Sequence, residues 1–144
     1  MINILPGIDS TASSLNAERI RMDVISQNIA NANTTHGADG KPFQRQQVVF
    51  ENLLRAQTGN DGSGLPAQTV HIARVEKDSR PPQLVYDPGH RDADGNGMVA
   101  MPNINIHEEM ADLMVASRSF EANLAVIKTA RSMAMQTLQI GKRG

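Results

Sequence analysis

Apolar residues recur at seven-residue intervals in both terminal segments of the chain. The N-terminal repeat consists of Ile8, Leu15, Met22 and Ile29, supported by Ala12, Ile25 and Ala32. The C-terminal segment carries two interleaved rows, which are Ile106, Leu113, Phe120, Ile127, Ala134 and Met110, Ser117, Leu124, Arg131, Leu138. This spacing is typical of coiled-coil helices, whose narrow apolar seam needs a facing helix to cover it. The pattern therefore predicts two long helices that pair with each other or assemble with other subunits.

Glycine and proline are concentrated between these two segments. Fourteen of the 18 Gly and Pro residues lie between Gly37 and Pro102. Because both residue types interrupt regular helices, their distribution divides the chain into residues 1–34, 35–104 and 105–144. The predicted fold is α+β, with long N- and C-terminal helices in a coiled-coil-like layer and a small, irregular, β-rich middle segment.

Short runs of β-branched and aromatic residues in the middle segment predict strands. They cover residues 44–53, 69–75, 84–86 and 98–101. Between the first two runs, Gly59–Gly64 is rich in turn-forming residues and predicts a mobile loop. A sheet of so few strands is small.

Capping residues predict where the helices begin and end. Asp9 or Ser10 is the expected N-cap of the first helix, directly after Pro6 and Gly7. For the second helix, Asn105 with Glu108 three residues later resembles a capping box. Gly141, followed by Lys142 and Arg143, predicts the C-terminal end.

Composition excludes several classes of function. Aromatic residues make up 3% of the 144 residues, the formal charge is −1 and there is no cysteine. A disulfide framework, a thiolate metal site and a cysteine nucleophile are therefore impossible. Lysine and arginine are scattered, which argues against nucleic-acid binding, and no apolar run is long enough for insertion into a membrane. The absence of a secretory signal predicts a cytoplasmic protein unless another export route applies.

One segment has a partial metal-binding pattern. Residues 92–99 match the opening of a calcium loop, but Asn103 stands where the bidentate glutamate should be. A hairpin loop explains the same Asp, Asn and Gly residues, so we expect no metal and no cofactor. The four histidines form no ligand pair, and no nucleophile or nucleotide motif is present, so an enzyme is disfavoured. A soluble coiled-coil adaptor and, less favoured, a small calcium-binding domain remain as alternatives to an assembly protein.

Asparagine is unusually frequent near the end of the first predicted helix. Asn28, Asn31 and Asn33 fall within six residues, and the first two share a helical face. Asparagine competes with backbone hydrogen bonds in helices. The residues are therefore either directional hydrogen-bonding groups or simply a polar helix end.

Three segments of the chain resemble a known family. Residues 25–34 are similar to the S-x-N-I-A-N-x-x-T pattern near the N-terminus of bacterial flagellar rod and hook proteins. Residues 114–123 resemble the family's C-terminal A-x-R-x-[YF]-x-A-N segment. Residues 84–90 and 92–103 resemble the members that form the proximal rod. The resemblance covers essentially the whole chain.

The resemblance implies a structural subunit of the basal-body rod. In that family the terminal helices form an inner coiled-coil layer, and the central segment faces outward. Subunits pass through the flagellar type III export apparatus without a cleaved signal peptide and assemble helically in the periplasm with copies of themselves and other rod subunits. The expected assembly residues are Leu15, Met22, Asn28, Ile29, Asn31, Leu113, Arg118, Phe120, Asn123, Leu124 and Ile127. As a set, the methionines of the helices also suit contacts with several partners; they are Met22, Met110, Met114, Met133 and Met135.

Overall fold

The computed structural model describes residues 5–37, 39–55 and 67–141. In chain order the elements are α1 (Leu5–Ala30), β1 (Gln46–Arg55), β2 (Ala67–Lys77), β3 (Gln83–Tyr86), β4 (Met98–Met101) and α2 (Ile106–Gly141). Two long helices thus enclose a small β-rich middle, and the predicted α+β fold is confirmed. The predicted loop Gly59–Gly64 lies outside the described residues.

The strands pair as two separate antiparallel hairpins. In the first, β1 pairs with β2, Val48 lies opposite Val75, and the register shifts between Val49 and Phe50. In the second, β3 pairs with β4, and Val85 lies opposite Val99. All four predicted strands are present, within a few residues of their expected bounds. The β-branched clusters identify them because such side chains pack well on a pleated surface.

Helix α1 begins earlier than its expected cap. It starts at Leu5 and includes Pro6, so Asp9 and Ser10 lie inside the helix, and the prediction that either is its N-cap is wrong. Proline is tolerated in the first helical turn, because its missing N–H would have no intrahelical partner there. Pro6 therefore belongs to the start of α1 and does not interrupt the chain before it.

Asn105 caps α2, as predicted. Its side-chain oxygen accepts a hydrogen bond from the His107 backbone N–H at 3.1 Å. Glu108 differs from a standard capping box, since its carboxylate accepts from the Asn105 side-chain amide at 3.0 Å. Helix α2 extends to Gly141, the last described residue, and the predicted helix end with Lys142 and Arg143 lies outside the described residues.

The two helices pack against each other in antiparallel orientation. Asn28, near the end of α1, hydrogen-bonds Glu109, near the start of α2. Arg21, about two turns earlier in α1, lies 3.9 Å from Asp112, which comes later in α2. Small buried residues, Ala17 and Ala116, allow close approach of the helices. Since α2 has 36 residues and α1 has 26, α2 extends roughly 15 Å beyond the described end of α1 at 1.5 Å per residue.

The buried stripe of α1 is offset from the predicted seam. Its most buried residues are Ala17, Val24, Ile25 and Asn28, of which Ile25 is a supporting position of the predicted repeat. The predicted row of Leu15, Met22 and Ile29 is half-buried. Besides α2, α1 also contacts both strands of the β1–β2 hairpin. Its packed face is therefore wider than a two-helix seam.

The β3–β4 hairpin is set apart from the other elements. In the described part of the chain it makes no close backbone approach to a helix or to the first hairpin. Val99 is buried, whereas Leu84 and Tyr86 on β3 are 64% and 69% exposed. Since alternate residues of a strand point to opposite faces, one face of this hairpin is packed and the other is open to solvent.

We expect Gly97→Ala to destabilise the β3–β4 hairpin. Gly97 has a φ of 74°, and an added Cβ would lie 3.0 Å from the Tyr86 ring. A non-glycine residue with such a positive φ destabilises the fold by about 1–3 kcal/mol, and urea unfolding would measure this loss. Gly95→Ala is the matched control, because a Cβ there meets nothing within 4 Å and Gly95 has no positive φ. Equal stability of the two variants would contradict this account.

Candidate assembly surface

A buried polar cluster joins α1, α2 and the start of β1. The Asn28 amide donates to the Gln46 carbonyl at 2.8 Å and to the Glu109 carboxylate at 3.0 Å, while the Gln46 N–H donates to the Asn28 oxygen at 2.9 Å. Asn28 and Glu109 are each 1% exposed. Both amide hydrogens and the oxygen of Asn28 are therefore used within the subunit.

Arg45 compensates the buried charge of Glu109. Its Nε lies 2.6 Å from a Glu109 carboxylate oxygen. Other guanidinium nitrogens lie 4.0 Å from carboxylates of Asp78 and Asp112. Hydrogen bonds from Arg80 hold the pKa of Asp78 below its usual value. The cluster thus continues from the helices to the end of β2, and its charges are paired as burial requires.

Asn31 has a local role at the end of α1. Its amide donates to the Gln27 carbonyl at 2.9 Å, and its oxygen accepts from the Thr34 hydroxyl at 3.2 Å. The Gln27 carbonyl also accepts from the Asn31 backbone N–H at 3.1 Å, so all of these contacts stay within the last turn of α1 and the turn that follows it. Of the two asparagines that share a face, Asn28 is a directional tertiary contact, whereas Asn31 forms part of a polar helix end.

A second polar contact ties the β3–β4 hairpin to the segment after α1. The Thr35 hydroxyl donates to the Asp92 carboxylate at 2.7 Å, and His36 Nδ1 lies 3.8 Å from the other carboxylate oxygen. The hydrogen bond from Thr35 is the main reason that the pKa of Asp92 is lowered, with smaller contributions from His36, Arg91 and His90.

The segment with the calcium-like pattern is the loop of the β3–β4 hairpin. One Asp94 carboxylate oxygen accepts hydrogen bonds from the backbone N–H groups of Asn96 and Met98 at 2.8 and 2.9 Å. This is the turn geometry that Asp and Gly favour. Within residues 5–37, 39–55 and 67–141, no three His, Asp or Glu side chains are grouped as a metal site would require.

Most of the expected assembly residues lie along or beside the packed faces of the helices. Seven apolar residues are half-buried, namely Leu15, Met22, Ile29, Leu113, Phe120, Leu124 and Ile127. Asn31 and Asn123 are also half-buried, Arg118 is exposed, and Asn28 is buried in the polar cluster. The set therefore combines contacts within the subunit with surface that remains accessible.

The most exposed apolar surface of α2 includes residues that the predicted rows did not contain. Val115, Val126, Met133 and Ile140 are 54–76% exposed. With exposed Ala122 they form one strip with intervals of seven, four, seven and seven residues. We call this strip the outer row of α2. Its heptad intervals were present in the sequence, but only the position of α1 shows that this strip is uncovered.

The methionines of α2 are exposed as well. Met110, Met114, Met133 and Met135 are 53–59% exposed. An unbranched thioether can adapt to differently shaped neighbours.

In the described part of the chain, no helix is sufficiently long and apolar to cross a membrane.

Both terminal regions match profiles of one class of protein. Residues 8–38 match the family described as "Flagella basal body rod protein". Residues 96–140 match the family described as "Flagellar basal body rod FlgEFG protein C-terminal". The two matches include most of α1 and α2, the elements that carry the polar cluster and the outer row.

Individual relatives specify the family. The chain is 38% identical to the flagellar basal-body rod protein FlgC of Borreliella burgdorferi, over 96% of this chain and 98% of that protein. It is 40% identical to FlgC of Salmonella typhimurium, over 93% and 95% of the two chains. FlgC of Bacillus subtilis is 36% identical, over 94% and 96%. The chain therefore belongs to the FlgC family of flagellar basal-body rod proteins.

We expect Asn28→Asp to destabilise the subunit by about 3 kcal/mol or more, because it removes the donors to Gln46 and Glu109 and places a second carboxylate in a buried site. Urea unfolding followed by circular dichroism would measure the change. Asn31→Asp is the control, since its bonds reach only residues three or four positions away and Asn31 is not fully buried, and it should cost less than about 1 kcal/mol. Equal losses in both variants would show that the polar cluster is not the dominant constraint.

We expect the contact between Thr35 and Asp92 to stabilise the protein above acidic pH. Because the folded pKa of Asp92 is lowered, this stability is fully present above the ordinary carboxyl pKa of about 3.9 and is lost as the pH falls through the lower folded value. Thr35→Val should therefore lower the urea midpoint at neutral pH, and its difference from the unaltered protein should shrink below about pH 4. A difference that does not vary with pH would exclude Asp92 as the partner.

Proposed function

We propose that this chain is a structural subunit of the proximal part of the flagellar basal-body rod, where it assembles helically with copies of itself and with other rod subunits. Its membership of the FlgC family supports the assignment, because the relatives of nearly equal length are named basal-body rod proteins. The chain is a structural protein and not an enzyme. The drive shaft for motility is the assembly in which it would act.

The observation that carries this proposal is the exposed outer row of α2. Val115 and Ala116 are adjacent in sequence, and successive helical residues point about 100° apart. Ala116 is fully buried, whereas Val115 is 54% exposed. Helix α2 therefore packs along one face and presents a second apolar strip with heptad intervals beside it. Such a strip suits a helix from a neighbouring subunit.

A contact of this kind favours an extended assembly. If the outer row of one subunit packs against a different surface of the next, the interface is heterologous and propagates as a helix unless it closes into a ring. The half-buried row of Leu15, Met22 and Ile29 on α1 offers a second heptad strip. We propose that both rows contact neighbouring helices.

The polar cluster supports this arrangement from inside the subunit. Asn28 and Glu109 connect the ends of the two helices to β1. The direction in which the outer row points is consequently fixed relative to the middle segment. We therefore propose that Asn28 orients the assembly surface and that Arg118 and Asn123 contact neighbouring subunits.

The family also suggests where each segment lies. We propose that residues 1–34 and 105–144 form the inner helical layer and that residues 35–104 face outward. We further propose that the subunit passes through the flagellar export apparatus and assembles in the periplasm.

We expect Val126→Asp to prevent incorporation into the rod, because it buries a charge in the proposed helix contact while leaving the packed face of α2 unchanged. Val126 is 55% exposed, so the monomer should unfold at the same urea concentration as the unaltered protein. Val126 is a sharper test position than Leu113 or Phe120, which are half-buried. Incorporation would be measured in basal bodies purified from cells that produce the variant.

Ala125→Asp is the matched control. Ala125 is exposed and points about 100° away from Val126. Cells with this variant should swim and contain it in the rod, whereas Val126→Asp cells should be non-motile. Normal rods with Val126→Asp would exclude the outer row, and absence of the unaltered, labelled subunit from the rod would exclude the proposed function.

A further inference from the structure

A groove lies between the segment after α1 and the end of β2. Its volume is about 550 Å³, and it continues to Pro82 and Asn103. Pro42, Phe43 and Pro82 give it an apolar wall, and Lys41 and Lys77 lie along it. We call this feature the Lys41–Lys77 groove.

Four basic and two acidic residues line the groove, the acidic ones being Asp39 and Asp78, so its lining is net positive. Arg45 is paired with Glu109, and Arg80 is paired with Asp78 at 2.6 Å. In contrast, neither Lys41 nor Lys77 has a carboxylate oxygen within 4.0 Å in the described part of the chain. Both lysines are exposed. A fitting occupant combines apolar or aromatic surface with carboxylates.

The walls of the groove are held in a defined shape. The Gly37 N–H donates to the Lys41 carbonyl at 2.8 Å, and the Phe43 N–H donates to the Thr34 carbonyl at 3.1 Å. On the opposite side, the Asp78 N–H donates to the Arg45 carbonyl at 2.7 Å. Since the backbone is fixed in this way, binding would require little ordering of the groove.

The β3–β4 hairpin has the complementary chemistry. Tyr86 is the only tyrosine of the chain, and it is 69% exposed. Asp87 and Asp94 beside it are also exposed. Residues 87–97 include three aspartates and one arginine, so the hairpin loop is net acidic. Gly97 lies directly against the Tyr86 ring, which fixes the position of this aromatic surface.

We propose that the β3–β4 hairpin of one copy docks in the Lys41–Lys77 groove of the next copy. The groove and the exposed residues of the hairpin share no side chain, so the contact is heterologous and repeats along an assembly. Tyr86 would pack on the apolar wall, and Asp87 would pair with Lys77. The inference rests on the proposed function and adds to it a contact between copies outside the helical layer.

Proximity labelling tests this contact directly, because the chain has no cysteine of its own. Cells would produce a mixture of Lys77→Cys and Asp87→Cys subunits, and purified basal bodies would be treated with a short bismaleimide. We expect a cross-linked dimer only in the mixture. Each single variant and a mixture of Lys77→Cys with Glu121→Cys, whose residue lies on α2, are the controls.

The outcomes separate this inference from the proposed function. A dimer in the Lys77 and Asp87 mixture alone supports the contact. Both variants present in the rod without a dimer, or an equal dimer with Glu121→Cys, would overturn the inference and leave the rod assignment intact. Absence of the unaltered subunit from the rod would overturn both.

Charge reversal provides an independent measurement. Lys77→Glu should reduce incorporation into the rod about tenfold, because it places like charges opposite Asp87 of the next copy. Adding Asp87→Lys to the same chain should restore incorporation. The control chain that combines Asp87→Lys with Lys128→Glu should be incorporated as poorly as Asp87→Lys alone. Failure of the double variant to recover, with monomer stability unchanged, would contradict the proposed pairing.

Discussion

The buried side chain of Asn28 contacts Gln46 and Glu109 where the two helices and the first hairpin come together. Its amide and its oxygen are all bonded, twice to Gln46 of β1 and once to Glu109 of α2. Glu109 in turn needs Arg45, because an unpaired buried carboxylate typically costs about 3–5 kcal/mol. The helices therefore have one favourable placement relative to β1, and sliding either helix by a turn would break the whole set.

This constraint matters because the apolar core is small. Its buried residues in the described chain are Ala17, Val24, Ile25, Ala32, Val99 and Ala116, and none is aromatic. Small side chains permit close helix packing, but they bury little area and specify position weakly. A satisfied polar cluster supplies the directional information that such a core lacks.

The small number of packed elements also explains why much apolar surface of α2 remains exposed. A single helix and one hairpin pack against α1, and together they cover only part of the two amphipathic faces. The outer row is left at the surface of the subunit, where a monomer gains nothing from it. We propose that neighbouring rod subunits cover this surface, because contiguous exposed apolar area is typical of protein–protein contact sites. The polar contact between Thr35 and Asp92 similarly holds the separate β3–β4 hairpin at the surface.

Sequence patterns identified the elements and the family but only part of the candidate surface. Heptad spacing located both helices, and β-branched runs located four strands, because these signals depend on local periodicity. The N-terminal cap was predicted in the wrong place, because proline usually interrupts a helix, whereas Pro6 lies in the first turn of α1. The outer row was missed because several heptad strips fit the same helix, and a repeat does not say which strip its partner covers.

By itself, then, the sequence determined the secondary structure, the α+β class and the resemblance of both ends to rod proteins, all of which are carried by residues close together in the chain. Only the tertiary structure decided that Asn28 points inward to Glu109, 81 positions away, whereas Asn31 completes the helix end beside it. Both residues carry the same side chain, and the helical period predicts one shared face, but α1 ends at Ala30 and Asn31 lies in the turn that follows. The difference between them arises from what the folded chain places opposite each side chain, and neighbouring residues do not encode it.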